Sequence, residues 1–189
     1  MHIATLGPRG NNHELIAWRY LNRRFSGPGS VTLFGQFEEA FQALVAGKVS
    51  HVLQCTAHSA HSGCVGRYMH RAYPVDTFIA GSKPLALMAQ RAIAKPAHVA
   101  LQPATRHYTD LTGNSEIIEA PTTVAVAEGL LAGRFEAGIC AEEVLAQAPD
   151  QLRLVTSLGP ALDTWVLFAT TPLPVSSPLR LEAGPDSQG

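Results

Sequence analysis

The sequence predicts an α/β protein with mainly parallel sheets, folded into two lobes. Short apolar runs typical of buried strands alternate with amphipathic helical patterns from the first residue onward. This alternation favours parallel strands that are joined by helices. Glycine, proline and asparagine separate the runs, as expected at turns. Two strand-like segments meet at residues 81–84, near the middle of the chain, where two lobes would be joined.

The first half of the chain alternates strands and helices regularly. Apolar runs predict strands at residues 3–6, 31–34, 50–55, 75–80 and 85–89. Apolar residues at helical spacing predict helices at residues 13–25 and 37–44, and a short one at about 65–70. Asn11 or Asn12 is suited to cap the first of these helices. Residues 56–66, rich in small and polar side chains, are predicted to form a loop before the third helix.

The second half continues the pattern and ends in an irregular tail. Strands are predicted at residues 98–101, 116–119, 136–140, 152–155 and 165–169. Helices are predicted after Pro103 and at residues 123–131 and 142–147. We therefore assign residues 1–78 and 156–172 to lobe 1 and residues 79–155 to lobe 2. Residues 173–189 lack periodicity and are predicted to be disordered.

Composition excludes several classes of function. The 189 residues contain 14 Lys and Arg against 15 Asp and Glu, so no broad cationic field favours nucleic acid or a membrane surface. No apolar run is long enough to span a bilayer, and the N-terminus is not a signal peptide, so we expect a cytoplasmic protein. Three cysteines fit reduced thiols. The 15% of charged residues is low, which favours a homodimer.

The loop after the first strand is suited to bind an anion. Gly10, Asn11 and Asn12 precede a helix, and such a loop can expose backbone N–H groups to a carboxylate or phosphate. The loop has neither the Gly-Lys-Ser/Thr ending of a Walker loop nor the spacing of a dinucleotide-binding motif. A tight turn with a helix cap explains the same residues.

Two later loops also follow the carboxyl ends of strands, where α/β folds bind ligands. Gln102 and Arg106 lie in one of them, and the guanidinium group is suited to clamp a carboxylate. A solvent-exposed arginine on a helix face is the plainer interpretation. Thr122 and Thr123 open the next predicted helix, although an ordinary N-cap accounts for them equally well.

The loop after the third strand concentrates histidine and cysteine. Cys55, His58, His61 and Cys64 are three residues apart, and thiolates and imidazoles suit zinc. On a helix this spacing spreads the side chains too widely for one tetrahedral ion, so buried thiols are the alternative. His58 and His61 are the first candidates for proton transfer, because imidazole titrates near neutral pH.

The order of these loops resembles the prephenate dehydratase catalytic-domain family. Residues 3–14 are similar to the opening of that family, whose first strand leads into a Leu-Gly-Pro-x-Gly-Thr loop. Residues 37–41, 122–123 and 163–168 occupy the places of the family's helix, Ser-Thr loop and Thr-Arg-Phe strand. The resemblance covers roughly residues 1–170. It implies a two-lobed, type 2 periplasmic-binding-protein-like fold without the family's regulatory ACT domain.

Two departures from the family pattern bear on the reaction. The family's Glu-Asn-Ser after the third strand is replaced by Ala57-His58-Ser59. The arginine of Thr-Arg-Phe is replaced by Trp165, which follows Thr164. Loss of that arginine removes the obvious partner of a departing hydroxyl group and disfavours dehydration.

A short branch of the family matches these departures better. The prephenate decarboxylases of bacilysin-type pathways have a histidine in the same loop, a later Tyr-Met pair and a closing Ser-Trp-x-Leu-Phe. This chain is similar, with His58, the Tyr-Met pair at residues 68–69 and Thr-Trp-Val-Leu-Phe at residues 164–168. Gln102 and Pro103 stand where that branch has His-Pro.

The resemblance implies a lyase that acts on a cyclohexadienyl carboxylic acid such as prephenate, by decarboxylation or dehydration, without a cofactor or metal. His58, His61 and Thr164 would be catalytic. The residues that would bind substrate are Gly10, Asn11, Asn12, Ser59, Gln102, Arg106, Thr122, Thr123 and Trp165. Two alternatives stay open: a lyase of another hydroxylated cyclohexadiene acid, such as a dihydrodiol from aromatic degradation, and a non-catalytic protein that binds an aromatic acid.

Overall fold

Residues 1–111 and 116–180 are described in the computed structural model of the chain, which divides into two units. Unit 1 comprises Met1–Arg9, His13–Ile79 and the chain from Thr164 onward. Unit 2 comprises Gly10–Asn12 and Ala80–Asp163. Each unit contains one mixed sheet of five strands.

The strands and α-helices follow one another almost as the sequence pattern predicts. In chain order they are β1 (His2–Leu6), α1 (Asn12–Arg24), β2 (Ser30–Phe34), α2 (Phe37–Val45), β3 (His51–Cys55), α3 (His61–Tyr68), β4 (Tyr73–Gly81), β5 (Leu85–Gln90), β6 (His98–Leu101), β7 (Glu116–Glu119), α4 (Thr123–Leu131), β8 (Ala137–Ala141), β9 (Leu152–Gly159) and β10 (Leu162–Ala169). Within the described residues, no helix combines the length and the apolar character needed to cross a membrane.

The sheet of unit 1 has the strand order β2-β1-β3-β10-β4. β1 pairs in parallel with β2 and with β3, whereas β10 is antiparallel to β3 and places Trp165 opposite Cys55. Helices α2 and α3 pack on one face, where Phe41 stacks on Tyr68 and the Tyr68 hydroxyl donates a hydrogen bond to Glu38. The ends of β1 and β3 and the start of β10 therefore share one edge of the sheet.

The sheet of unit 2 has the strand order β7-β6-β8-β5-β9. β6 pairs in parallel with β7 and β8, and β5 is antiparallel to β8 and β9. Helix α4 packs on this sheet through Val126 and Leu130, which are fully buried. Gly138 of β8 allows the helix to approach closely, because a side-chain methyl group at this position would collide with Val126.

Three short helices differ from their predicted form. The third helix begins at His61 rather than near residue 65, because Cys64 and Tyr68 on its inner face pack against the core of unit 1. Such packing stabilises a short helix more than its glycine-containing sequence suggests. The helices predicted after Pro103 and at residues 142–147 are 3-10 helices, Pro103–Thr105 and Glu142–Gln147.

The chain returns to unit 1 later than the sequence pattern suggests. β9 continues to Gly159 and pairs with β5 along its length, so residues 156–163 belong to unit 2 rather than to the first lobe. Most side chains of β9 beyond Arg153 are exposed, because β9 lies at the edge of the sheet. The buried positions that would indicate a long strand are therefore missing. Residues 173–180 form turns and irregular backbone, and residues 181–189 of the predicted disordered tail lie outside the described residues.

The close contact between α4 and β8 predicts the effect of adding a methyl group. An alanine Cβ at position 138 would lie 2.5 Å from Val126 Cγ1 and 3.0 Å from the Ala100 carbonyl oxygen. We expect Gly138→Ala to lower the free energy of unfolding by about 1–3 kcal/mol, because helix and strand must separate. Urea denaturation measures this change.

Gly66→Ala is the matched control. Gly66 is exposed on α3, and nothing lies within 4 Å of the position that a Cβ would take. Because alanine is the better helix former, this variant should be as stable as the natural protein or more stable by up to ~1 kcal/mol. Equal stability of the two alanine variants would contradict the packing described for Gly138.

Candidate functional site

Four rings from four chain segments meet at the carboxyl edge of the unit 1 sheet. His13 is in the first turn of α1, Phe37 begins α2, His58 follows β3, and Trp165 is near the start of β10. The His13 ring lies edge-on to Phe37, His58 and Trp165, with centroid distances of 5.3, 5.9 and 5.1 Å. Phe37 and His58 are 4.9 Å apart. We call these four residues the imidazole cluster.

Two members of the imidazole cluster are buried and two are half-buried, and the cluster contains polar atoms without partners among the described residues. Phe37 and Trp165 are each only 2% exposed. His13 Nε2 and Trp165 Nε1 are buried and have no hydrogen-bond partner among the described residues. An unsatisfied buried polar group costs about 1–3 kcal/mol, so it is uncommon in a region whose role is structural alone. These atoms are suited to bind a polar atom of a ligand.

Burial favours the neutral form of the histidines at this edge, because it lowers their pKa values. Burial, and to a smaller extent the neighbouring His58, lower the pKa of His13 to about 3. Burial and then the neighbouring His61 lower the pKa of His58, and burial lowers that of His61. Removal from water disfavours the charged imidazolium in each case. The site therefore offers imidazoles that can accept a proton or share a hydrogen bond.

The rings of His58 and His61 both form a hydrogen bond with a neighbouring residue. The backbone N–H of Ala60 donates to His58 Nδ1 over 3.1 Å. His61 Nδ1 lies 3.0 Å from Oε1 of Gln54, a residue of β3 that is fully buried. Both rings are thus oriented by groups of the same short segment of chain.

The other predicted site residues of unit 1 are also at this edge. Ser59 and Thr164 are exposed, and the Thr164 carbonyl accepts a hydrogen bond from the Thr56 N–H. Cys55 and Cys64 are buried free thiols. Among residues 1–111 and 116–180, no group of three or more His, Cys, Asp or Glu side chains is arranged to hold a metal ion.

Unit 2 has a pocket of about 210 Å³. Four of the predicted substrate-binding residues line it: Gly10, Asn11, Asn12 and Thr123. Lys83 lines it as well, with its backbone N–H donating to Asn12 Oδ1 over 3.0 Å and its Nζ 2.7 Å from Glu143 Oε1. The remaining lining includes apolar side chains, among them Leu85, Val124, Leu131 and Val144, and the polar side chains of Glu128, Glu143 and Gln147. The φ angle of +84° at Gly10 explains why glycine is needed in this loop.

Three predicted substrate-binding residues of unit 2 are not among those that line this pocket. Gln102 Oε1 accepts the Ala104 N–H and caps the short 3-10 helix. Thr122 is the N-cap of α4 and accepts the Ala125 N–H. Arg106 is exposed and forms an ion pair with Glu119 over 3.0 Å. These contacts are those of ordinary helix caps and of a surface ion pair. The roles of the three residues in substrate binding stay predictions.

Local sequence patterns did not single out His13, Lys83 or Gln54 as site residues. His13 follows the Gly-Asn-Asn sequence and opens the first helix, so its place after a predicted strand was the signal that could have identified it. Lys83 lies in the segment that was assigned only to the junction between lobes. Gln54 lies within an apolar strand, and a polar side chain at such a position needs a specific partner.

Comparisons with known proteins identify the fold. No protein-family model and no curated protein matches the sequence. The prephenate dehydratase of Arthrobacter aurescens in complex with L-Phe matches in structure with a TM-score of 0.65 and 15% identity, over 90% of this chain and 61% of that one. An ABC transporter from Parabacteroides distasonis matches with a TM-score of 0.55 and 17% identity, over 89% and 65% of the two chains. The BvgS periplasmic VFT2 domain of Bordetella pertussis matches with a TM-score of 0.53 and 13% identity, over 90% of this chain and 80% of that one.

These likenesses concern the fold. The chain spans less than two thirds of the length of the first two structures, 61% and 65%. Together with the two mixed sheets, the matches confirm the predicted periplasmic-binding-protein-like α/β fold. The resemblance to prephenate dehydratases in the sequence is supported at the level of the fold.

The lowered pKa of His13 predicts how stability depends on pH. The pKa is about 3 in the folded protein and 6.5 for a free imidazole, so between these values the unfolded chain binds one more proton. The free energy of unfolding should therefore fall as pH is lowered from 6.5 towards 3, by up to about 1.4 kcal/mol per pH unit from this group. His13→Gln should reduce the loss, measured by urea denaturation at about pH 7 and about pH 5.

His107→Gln is the control for this measurement, because His107 is exposed. It should lose stability in acid as the natural protein does. If His13→Gln were as acid-sensitive as this control, the burial of a neutral imidazole at position 13 would be refuted.

Proposed function

We propose that this protein is a lyase that removes carbon dioxide from a cyclohexadienyl carboxylic acid such as prephenate. The observation that carries the proposal is the imidazole cluster together with His61, where neutral imidazoles adjoin aromatic rings at the carboxyl edge of a sheet. Ligands of α/β folds bind at such edges. The resemblance of the loops to prephenate dehydratases and decarboxylases supports the substrate class.

Decarboxylation of such an acid requires little more than a proton and a well-placed ring. The carbon–carbon bond to the ring carboxylate breaks, its electron pair enters the ring π system, and a ring carbon takes up one proton. A neutral imidazole can bind that proton and deliver it. Because a substrate carboxylate raises the pKa of a nearby histidine, binding would itself favour the protonated ring. Phe37 and Trp165 provide aromatic faces and edges for the flat substrate.

Trp165 favours decarboxylation over dehydration. Loss of a hydroxyl group is assisted by a cation or an acid at the departing oxygen, which the dehydratase family is expected to supply from an arginine at this place. This chain has a buried indole at that position, and an indole supplies neither a cation nor an acidic proton. We therefore expect the hydroxyl group to be retained.

The pocket of unit 2 supports an acid as ligand by a separate observation. Lys83 contributes an ammonium group, which is paired with Glu143 over 2.7 Å, and Thr123 begins α4, whose N-terminal N–H groups favour anions. Six apolar side chains of the lining suit the hydrocarbon part of an organic acid, and Glu128, Glu143 and Gln147 line the pocket as well.

Incubation with prephenate tests the proposed activity. We expect prephenate to be consumed with release of carbon dioxide and without phenylpyruvate, both measured by chromatography and mass spectrometry. Phenylpyruvate would show dehydration instead. Binding without consumption would indicate a binding protein, and a dihydrodiol acid assayed in parallel would reveal the other substrate class. The double variant His58→Ala, His61→Ala should slow turnover at least about 100-fold while binding persists.

Lys83→Met tests the acid-binding pocket. Removing the ammonium group should weaken prephenate binding about tenfold or more, as expected for a hydrogen bond to a charged group. Isothermal titration calorimetry measures the affinity. Lys48→Met is the matched control, because Lys48 is exposed and is not among the residues that line the pocket. Equal affinity of the two variants would count against this pocket as a second place where an acid binds.

A further inference from the structure

We propose that His58 and His61 are held in opposite tautomers, so that His61 carries the reacting proton and His58 only donates a hydrogen bond. Gln54 is then the positioning residue that sets the tautomer of His61. The catalytic part of this inference rests on the proposed function, whereas the tautomers are properties of the protein alone.

The contact of His58 with Ala60 determines where its proton lies. A backbone N–H can only donate, so the His58 Nδ1 atom that receives it must carry a lone pair. The neutral ring therefore has its proton on Nε2. Adding a second proton at Nδ1 would bring two N–H groups face to face and break this hydrogen bond. His58 is thus suited to remain neutral and to donate from Nε2.

The contact of His61 with Gln54 has the opposite consequence. The amide oxygen of Gln54 can only accept, so His61 Nδ1 carries the proton and Nε2 has the lone pair. Protonation at Nε2 leaves the bond to Gln54 in place and strengthens it, because a charged donor makes the stronger hydrogen bond. His61 can therefore cycle between imidazole and imidazolium without losing its orientation.

Gln54 is well placed to impose this tautomer. It is fully buried and lies in β3, between the flanking strands β1 and β10. His61 is the first residue of α3, so the contact joins a central strand to the start of a helix. A side chain on a rigid element holds a catalytic group more reproducibly than one on a loop.

The roles of His61 and His58 account for the proton that the proposed reaction consumes. His61 first takes a proton from solvent at Nε2 as the acid binds. As the carboxylate carbon–carbon bond breaks, this Nε2–H bond also breaks, and a new C–H bond forms on the substrate ring. Carbon dioxide leaves, and neutral His61 then takes a proton from solvent. His58 Nε2–H donates a hydrogen bond to a substrate oxygen and transfers no proton.

Long-range proton–nitrogen NMR of the ¹⁵N-histidine protein at neutral pH tests the tautomers directly. We expect His58 to show the Nε2–H tautomer and His61 the Nδ1–H tautomer, with each signal assigned by its loss in His58→Gln and His61→Asn. Gln54→Glu keeps an acceptor and should keep the His61 tautomer, whereas Gln54→Leu should shift His61 towards Nε2–H. An Nε2–H signal for His61 in the natural protein, or an Nδ1–H signal for His58, would overturn the inference.

Turnover of prephenate tests the division of roles. His61→Asn keeps an N–H that can reach Gln54 but has no titrating nitrogen, so kcat should fall at least about 100-fold. His58→Gln keeps a donor near the position of Nε2, so kcat should fall less than about tenfold. Equal losses would refute the assignment of roles. If the natural protein does not consume prephenate, the proposed function fails together with these roles, and the NMR result alone decides the tautomers.

Discussion

The antiparallel pairing of β10 with β3 is the constraint on which the candidate site of unit 1 depends. Trp165 lies opposite Cys55, and the Thr56 N–H bonds to the Thr164 carbonyl, so the late strand enters the sheet where the early strand leaves it. A parallel strand in the same place would put its first residues at the other edge of the sheet. The antiparallel direction therefore brings an indole from late in the chain to the loops that follow β1 and β3.

Burial at this edge has two opposing consequences. It removes water from His13 and His58, which lowers their pKa values and keeps the rings neutral. It also leaves His13 Nε2 and Trp165 Nε1 without hydrogen bonds inside the described part of the chain, at a cost in stability. Proteins tolerate such costs mostly where function requires a polar group in an apolar environment. The surrounding core of Phe37, Phe41 and Leu44 is closely packed and supplies the stability that offsets this cost.

Some features of the site follow from local sequence. His58 and His61 were identified because a loop rich in small residues follows a predicted strand, and strand ends in this class of fold carry functional groups. The pocket loop of Gly10, Asn11 and Asn12 was identified in the same way, from glycine and asparagine before a helix. By contrast, His13 and Lys83 lie in segments whose local pattern has an ordinary structural explanation, namely a helix start and a chain crossing.

The sequence by itself determined the alternation of strands and helices, the α/β class and the loops that hold most candidate residues. These features depend on the periodicity of apolar side chains and on glycine, proline and asparagine, which act over a few residues. Only the tertiary structure decided that His13 meets Trp165, that Gln54 holds His61, and that Lys83 lines the pocket with Asn12. Those contacts join residues far apart in the chain or depend on which way a side chain turns. Distant contacts and side-chain orientations are both set by the packing of whole secondary-structure elements, and local periodicity carries no information about that packing.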